Sequence, residues 1–160
     1  FAPWSEWNAV RGVEWWLRDH EPHAAMCELV STLNSLSDEH EALWRLDREP
    51  EGFQWVDDQN AEDSVYTFIR QSSEPNDELL VIANWTPVPR QFFRVGVPDQ
   101  SSWQLCLDTD ESRFGGSGYR SAQDSAASVV AEPVEWHGRP ASITVDVPPL
   151  SMLWLSRVTP

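Results

Sequence analysis

Five consecutive apolar residues, Leu79-Leu80-Val81-Ile82-Ala83, are followed shortly by Thr86-Pro87-Val88-Pro89. A short apolar run rich in branched residues and bounded by turn chemistry predicts a buried strand. Its lack of polar alternation predicts cover on both faces and a central place in its sheet. The two prolines carry no backbone donor, so the ladder must stop there. Beyond them, Phe92, Arg94 and Gly96 alternate with Phe93, Val95 and Val97, which predicts a returning strand. The stretch 78–97 is expected to form the central hairpin of a β-domain.

Other segments repeat the period of two. Phe53 and Trp55 alternate with Gln54 and Val56, and Val65, Thr67 and Ile69 with Tyr66, Phe68 and Arg70. Trp103, Leu105 and Leu107 predict another strand. The last strands are expected over 129–136, 143–147 and 152–155, the final two separated by Pro148-Pro149. Gly115-Gly116-Ser117-Gly118 through Ser128 reads as a mobile polar connection. Many short strands with regular turn signals predict an antiparallel sandwich or barrel.

The front of the chain differs. Pro22 suits a first helical turn, and Met26, Leu29, Val30, Leu33 and Leu36 recur at helical spacing as a core-facing stripe. Ser37 or Asp38 is expected to cap a second short helix, with Leu43, Trp44 and Leu46 on its buried side. Before the first helix, Trp4, Trp7, Trp15 and Trp16 crowd a segment with no clean period, mostly loop with a helical turn near 13–17. The change of period near Pro50 predicts a helical part over 1–49 and a β part over 50–160. A chain that opens inside such a Trp-rich stretch is expected to be a piece of something longer.

Charge narrows the partners. The net charge is −15, and all eleven basic residues are arginine. Phosphate binding draws its affinity from Lys and Arg, so a nucleic-acid partner is not expected, nor an anionic membrane. A neutral partner fits better. Cys27 and Cys106 are expected as two buried free thiols in a reducing compartment.

No motif carries catalytic chemistry. His20, His23, His40 and His137 have no third ligand at metal-site spacing, and the Gly-rich run lacks a following Lys. No metal or other cofactor is expected. Asp57-Asp58 and Asp108/Asp110 lie in turn-like stretches and read as structural. Asn84-Trp85-Thr86 matches a glycosylation pattern, although a strand end in a cytosolic setting is a poor acceptor. Exposed indoles can stack on the apolar faces of sugar rings. Trp4 and Trp7 are candidates for such stacking, but packing within the protein is the favoured reading for both, and more strongly for Trp15 and Trp16.

Several motifs, in order, resemble the C-terminal region of bacterial 1,4-α-glucan (glycogen) branching enzymes of the α-amylase superfamily. Phe1-Ala2-Pro3-Trp4 and Glu6-Trp7-Asn8 resemble the stretch after the last barrel strand. Pro50 to Asp57 resembles the entry to the all-β domain. Asn84 to Arg90, Arg94 to Pro98, Leu107 to Asp110, Phe114 to Gly118, His137 to Pro140 and Pro148 to Leu150 follow in that domain's order. Trp85 stands where the family usually has Phe, Asp108 replaces a usual Asn, and Ala2-Pro3 a usual Gly-Gln.

The resemblance implies a mainly β fold: an α-amylase-type C-terminal β-sandwich, preceded by the last helical segment of a (β/α)8 barrel, with Pro22 to Leu36 as its final helix. It implies a parent enzyme that cleaves α-1,4-glucan and transfers the chain to a 6-hydroxyl through a glycosyl-enzyme. The catalytic carboxylates would precede Phe1, so no catalytic residue is expected in this chain, which would be inactive alone. The implied partners are α-glucan (glycogen or amylose) and the remainder of the barrel, in the cytoplasm; with that substrate class, Trp55, and Trp4 and Trp7 nearer the barrel, are the candidate substrate-binding residues. Two alternatives stand beside it: an independent glucan-binding sandwich, and the C-terminal domain of another enzyme of the superfamily, such as a debranching or maltooligosyl-trehalose enzyme.

Overall fold

A computed structural model describes residues 7–123 and 125–158. Trp4 lies outside the described residues. Among the described residues eight strands are formed: β1 (Phe53–Asp57), β2 (Val65–Gln71), β3 (Glu78–Asn84), β4 (Arg90–Val97), β5 (Ser102–Asp108), β6 (Ser128–Val130), β7 (Ala141–Val147) and β8 (Ser151–Val158). They make a six-stranded antiparallel sheet, ordered β1-β2-β3-β8-β5-β6, and a two-stranded sheet, β4-β7. Between the sheets lies the main core, with Val65, Ile69, Leu80, Ile82, Val95, Val97, Trp103, Ile143, Val147 and Leu153 fully buried. The architecture is the expected β-sandwich.

β3 is the central strand the sequence predicted. It pairs with β2 on one side and β8 on the other. Leu80 and Ile82 face the inter-sheet core, while Leu79 and Val81 enter a second cluster on the outer face. The expected hairpin is not formed. β4 pairs with β7, in the opposite sheet. The Pro87/Pro89 segment therefore carries the chain from one sheet to the other, as a proline pair without donors permits.

The helix α1 (Glu21–Glu39) runs past Ser37 and Asp38 without a break, so neither caps a second helix; only a 3-10 turn, Glu41–Leu43, follows. That turn inserts Ala42 and Leu43 against Leu79, Val81, Phe68 and Trp154 on the outer face of the large sheet. Arg70 fastens it, with Nε donating to the Ala42 carbonyl at 3.3 Å and Nη2 to Asp47 Oδ1 at 2.9 Å. The stripe on α1 is only partly core. Leu36 is buried, but Met26 and Val30 are exposed, because no described element lies over that side. Trp44 is exposed too, and its Nε1 donates to the Ser37 carbonyl at 2.9 Å. A 3-10 turn over Trp15–Asp19 stands near the helical turn expected at 13–17.

Two further expectations change. Residues 131–136 are not a strand, because Pro133 removes a ladder donor; only isolated bridges Glu132↔Ser142 and Trp136↔Arg139 remain. The Gly-rich connection is folded around one carboxylate. Asp110 accepts from Ser117 N at 2.8 Å, Ser117 Oγ at 2.7 Å and Tyr119 N at 3.0 Å. Gly116 is required there, since a side chain would collide with the Asp110 backbone. A short helix, α2 (Tyr119–Ala122), follows. No helix among the described residues is long and apolar enough to cross a membrane.

Candidate functional site

Alternation on β1 and β2 gathers four aromatic side chains at one edge of the large sheet's outer face. Trp55 is the Cα partner of Phe68, and Phe53 of Arg70. Trp55 meets Phe53 edge-on at 5.0 Å between ring centroids, Phe68 at 5.9 Å and Tyr66 at 6.2 Å. Phe53 and Phe68 stack at 5.0 Å. The cluster fixes the Trp55 ring, yet leaves it 48% exposed, with Tyr66 beside it at 41%. A rigid, half-open indole of this kind presents a flat apolar face to solvent. Period-two patterning placed Trp55 on this face. Only the β1–β2 register shows that Tyr66 joins it.

Trp7 is 100% exposed and has a positive φ of 59°. Among the described residues, the ring contacts of Trp55 lie within the sheet, and Trp7 is not one of them.

Asp57, Asp58, Asp108 and Asp110 each hold a contact within the fold. Asp108 is buried, and burial raises its pKa; Arg120, with Nε 3.8 Å from Asp108 Oδ2, opposes that rise. Arg120 also donates to the carbonyls of Asp146 and Ala126, both at 2.6 Å. Asp57 lies 3.4 Å from His137 Nε2, while His137 Nδ1 accepts the Gly96 N–H at 3.4 Å. Burial lowers the His137 pKa, against the pull of Asp57. Among the described residues, no group of three or more His, Cys, Asp or Glu could hold a metal ion. Cys27 and Cys106 are free and half-buried, the Cys106 thiol pushed up to about 11 by burial.

Asn84, the strand-end residue of the glycosylation pattern, is 1% exposed. Its Nδ2 donates to the carbonyls of Val88 at 2.8 Å and Pro148 at 2.9 Å, and its Oδ1 accepts from Thr86 N at 3.0 Å and Thr86 Oγ1 at 2.8 Å. The amide shapes the sheet-to-sheet crossing and is closed to modification.

Residues 55–158 match the family model of the alpha amylase, C-terminal all-beta domain. The chain belongs to this family. Three relatives extend the likeness to the helical front of the chain. The 1,4-alpha-glucan branching enzyme GlgB of Rubrobacter xylanophilus is 40% identical over 155 residues, 97% of this chain and 21% of the relative. GlgB 1 of Streptomyces avermitilis is 42% identical over 161 aligned residues, covering 97% and 19%. GlgB of Cupriavidus necator is 42% identical over 155, covering 96% and 20%. The chain spans about a fifth of the length of these curated relatives. The family match begins at Trp55, and the relatives' coverage of 96–97% of the chain takes in nearly all of the helical front as well.

Proposed function

We infer that this chain is the C-terminal part of a 1,4-α-glucan branching enzyme, with residues 1–49 completing the catalytic barrel and 50–160 forming its accessory β-domain. The similarity along nearly the whole chain to relatives of that name carries this reading. The parent would cleave α-1,4-glucan and transfer the released chain to a 6-hydroxyl. The exposed side of α1, with Met26 and Val30, suits burial against the remainder of the barrel. Free thiols suit a cytoplasmic setting.

Trp55, with Tyr66 alongside, would hold a glucan chain by stacking, and Trp4 and Trp7 would do so nearer the barrel. In the full-length protein, amylose is expected to gain α-1,6 branches. Trp55→Ala is expected to weaken glycogen retardation in native gels several-fold while the protein stays folded. Branching by residues 1–160 alone would overturn the accessory role, and unchanged retardation would remove Trp55 from the binding surface.

A further inference from the structure

The outer face of the β4–β7 sheet carries an aromatic residue in an unfavourable place. Phe92 has φ of 52°, the left-handed region where a side chain is strained, and the residue is 79% exposed. Packing repays neither cost. The backbone is held there at the register break between Arg90 and Phe93, where the Phe92 N–H donates to Asp146 Oδ1 at 2.9 Å.

Phe92 forms the rim between two depressions. One is a groove of about 600 Å3 that also borders Trp136, His137, Arg94, Asn60 and Asp63. The other, about 170 Å3, borders Ser125, Thr144 and Asp146. The larger volume falls in the range of about 300–1,000 Å3 typical of small-molecule sites. Trp136 is 45% exposed and held by a tight turn, in which its N–H donates to the Arg139 carbonyl at 3.0 Å and the Arg139 N–H returns to the Trp136 carbonyl at 2.9 Å. The two central residues, His137 and Gly138, are both left-handed, at 50° and 69°. The turn lies directly on Gly96, where any side chain would strike the Trp136 carbonyl.

The charges of the groove are matched in pairs. Arg90 Nη1 lies 3.0 Å from Asp63 Oδ1, and Arg94 Nη1 lies 2.8 Å from Glu132 Oε2. Such a surface offers hydrogen-bond donors and acceptors without a net field for an ion. Together with two exposed rings, it fits a neutral polyhydroxyl ligand: C–H faces on the aromatics, hydroxyls toward the paired polar groups. We propose that this face is a second carbohydrate-binding surface, separate from the Trp55 edge, which takes a short run of glucosyl units across Phe92 and Trp136. The choice of glucose polymer rests on the reading of the parent as a glucan enzyme.

The strain at Phe92 makes the test decisive. Asn accepts a left-handed φ better than Phe, so Phe92→Asn should raise the thermal midpoint. Amide exchange in the full-length protein is measured with and without saturating maltoheptaose. Peptides covering 90–94 and 134–139 are expected to slow several-fold with the sugar. Phe92→Asn and Trp136→Ala should abolish that protection and leave it intact around Trp55. Protection that survives Phe92→Asn overturns the site, as does its absence in a wild-type protein that still branches amylose; there the enzymatic reading stands. A wild-type protein that neither branches amylose nor is retarded by glycogen overturns both.

Discussion

Asn84 Nδ2 donates to the Pro148 carbonyl at 2.9 Å, joining chain positions 64 residues apart. The bond clips the crossing from β3 to β4 onto the β7–β8 connection, and the same amide closes the crossing itself through Val88 and Thr86. Asn84→Ala removes the hydrogen bonds that this buried amide makes to the Val88 and Pro148 carbonyls and to Thr86. It is expected to cost about 2–3 kcal/mol, read from chemical denaturation. Asn84→Asp should be no better, because a carboxylate cannot donate to two carbonyls.

Arg120 and Asp108 are both buried, and Arg120 spends its guanidinium on two carbonyls as well as on the carboxylate. Arg120→Leu strands the Asp108 charge. A loss of about 3–5 kcal/mol is expected, as for other broken buried pairs. The double variant Arg120→Leu/Asp108→Leu should recover part of it in the same denaturation series, since no charge is then left uncompensated.

His137 supplies a pH dependence. Its neutral ring accepts the Gly96 N–H and faces Asp57, and burial lowers its pKa below the ordinary 6.5. The folded state therefore binds fewer protons than the unfolded chain as pH falls below 6.5. The stability this group contributes is present above that value and is lost as pH falls through the lowered folded pKa. Thermal midpoints measured across this window should drop on acidification, and His137→Gln should flatten the slope.

Gly96 lets the Trp136 turn lie on the small sheet. Gly96→Ala should displace that turn at a cost of about 1–3 kcal/mol, the usual range for overpacking. Differential scanning calorimetry would read the loss.

Ala42 is fully buried between the helical front and the outer face of the large sheet. Ala42→Phe should push the two apart. Amide exchange is expected to accelerate through α1 and residues 41–43, while β7 and β8 keep their protection. Uniform acceleration everywhere would mean that the helical front and the sandwich unfold as one unit.

The strands were legible wherever one side faced solvent or both faces were apolar. The alternation of Val65, Thr67 and Ile69, and the apolar run Leu79–Ala83, encode burial directly, because side-chain period and strand geometry coincide. The final helix of the front was legible for the same reason at a period near 3.6. Pairing was not legible. Pro87 and Pro89 announce only that a ladder ends, and whether the next strand returns to the same sheet depends on partners far away in sequence, here β7. Local composition misled at 115–118, since glycine and serine look loose until the carboxylate they surround, Asp110, is in place.

The chain by itself determined most of its strands, the two-sided burial of Leu79–Ala83 and the family its motifs resemble, since each is written in local periodicity or residue order. Only the tertiary structure decided that the proline segment crosses between sheets, that Asn84 locks that crossing, that Tyr66 and Phe68 frame Trp55, and that Phe92 stands exposed and strained beside the groove under Trp136. Those facts depend on register and on long-range hydrogen bonds, which bring together residues whose spacing along the chain carries no signal of their meeting.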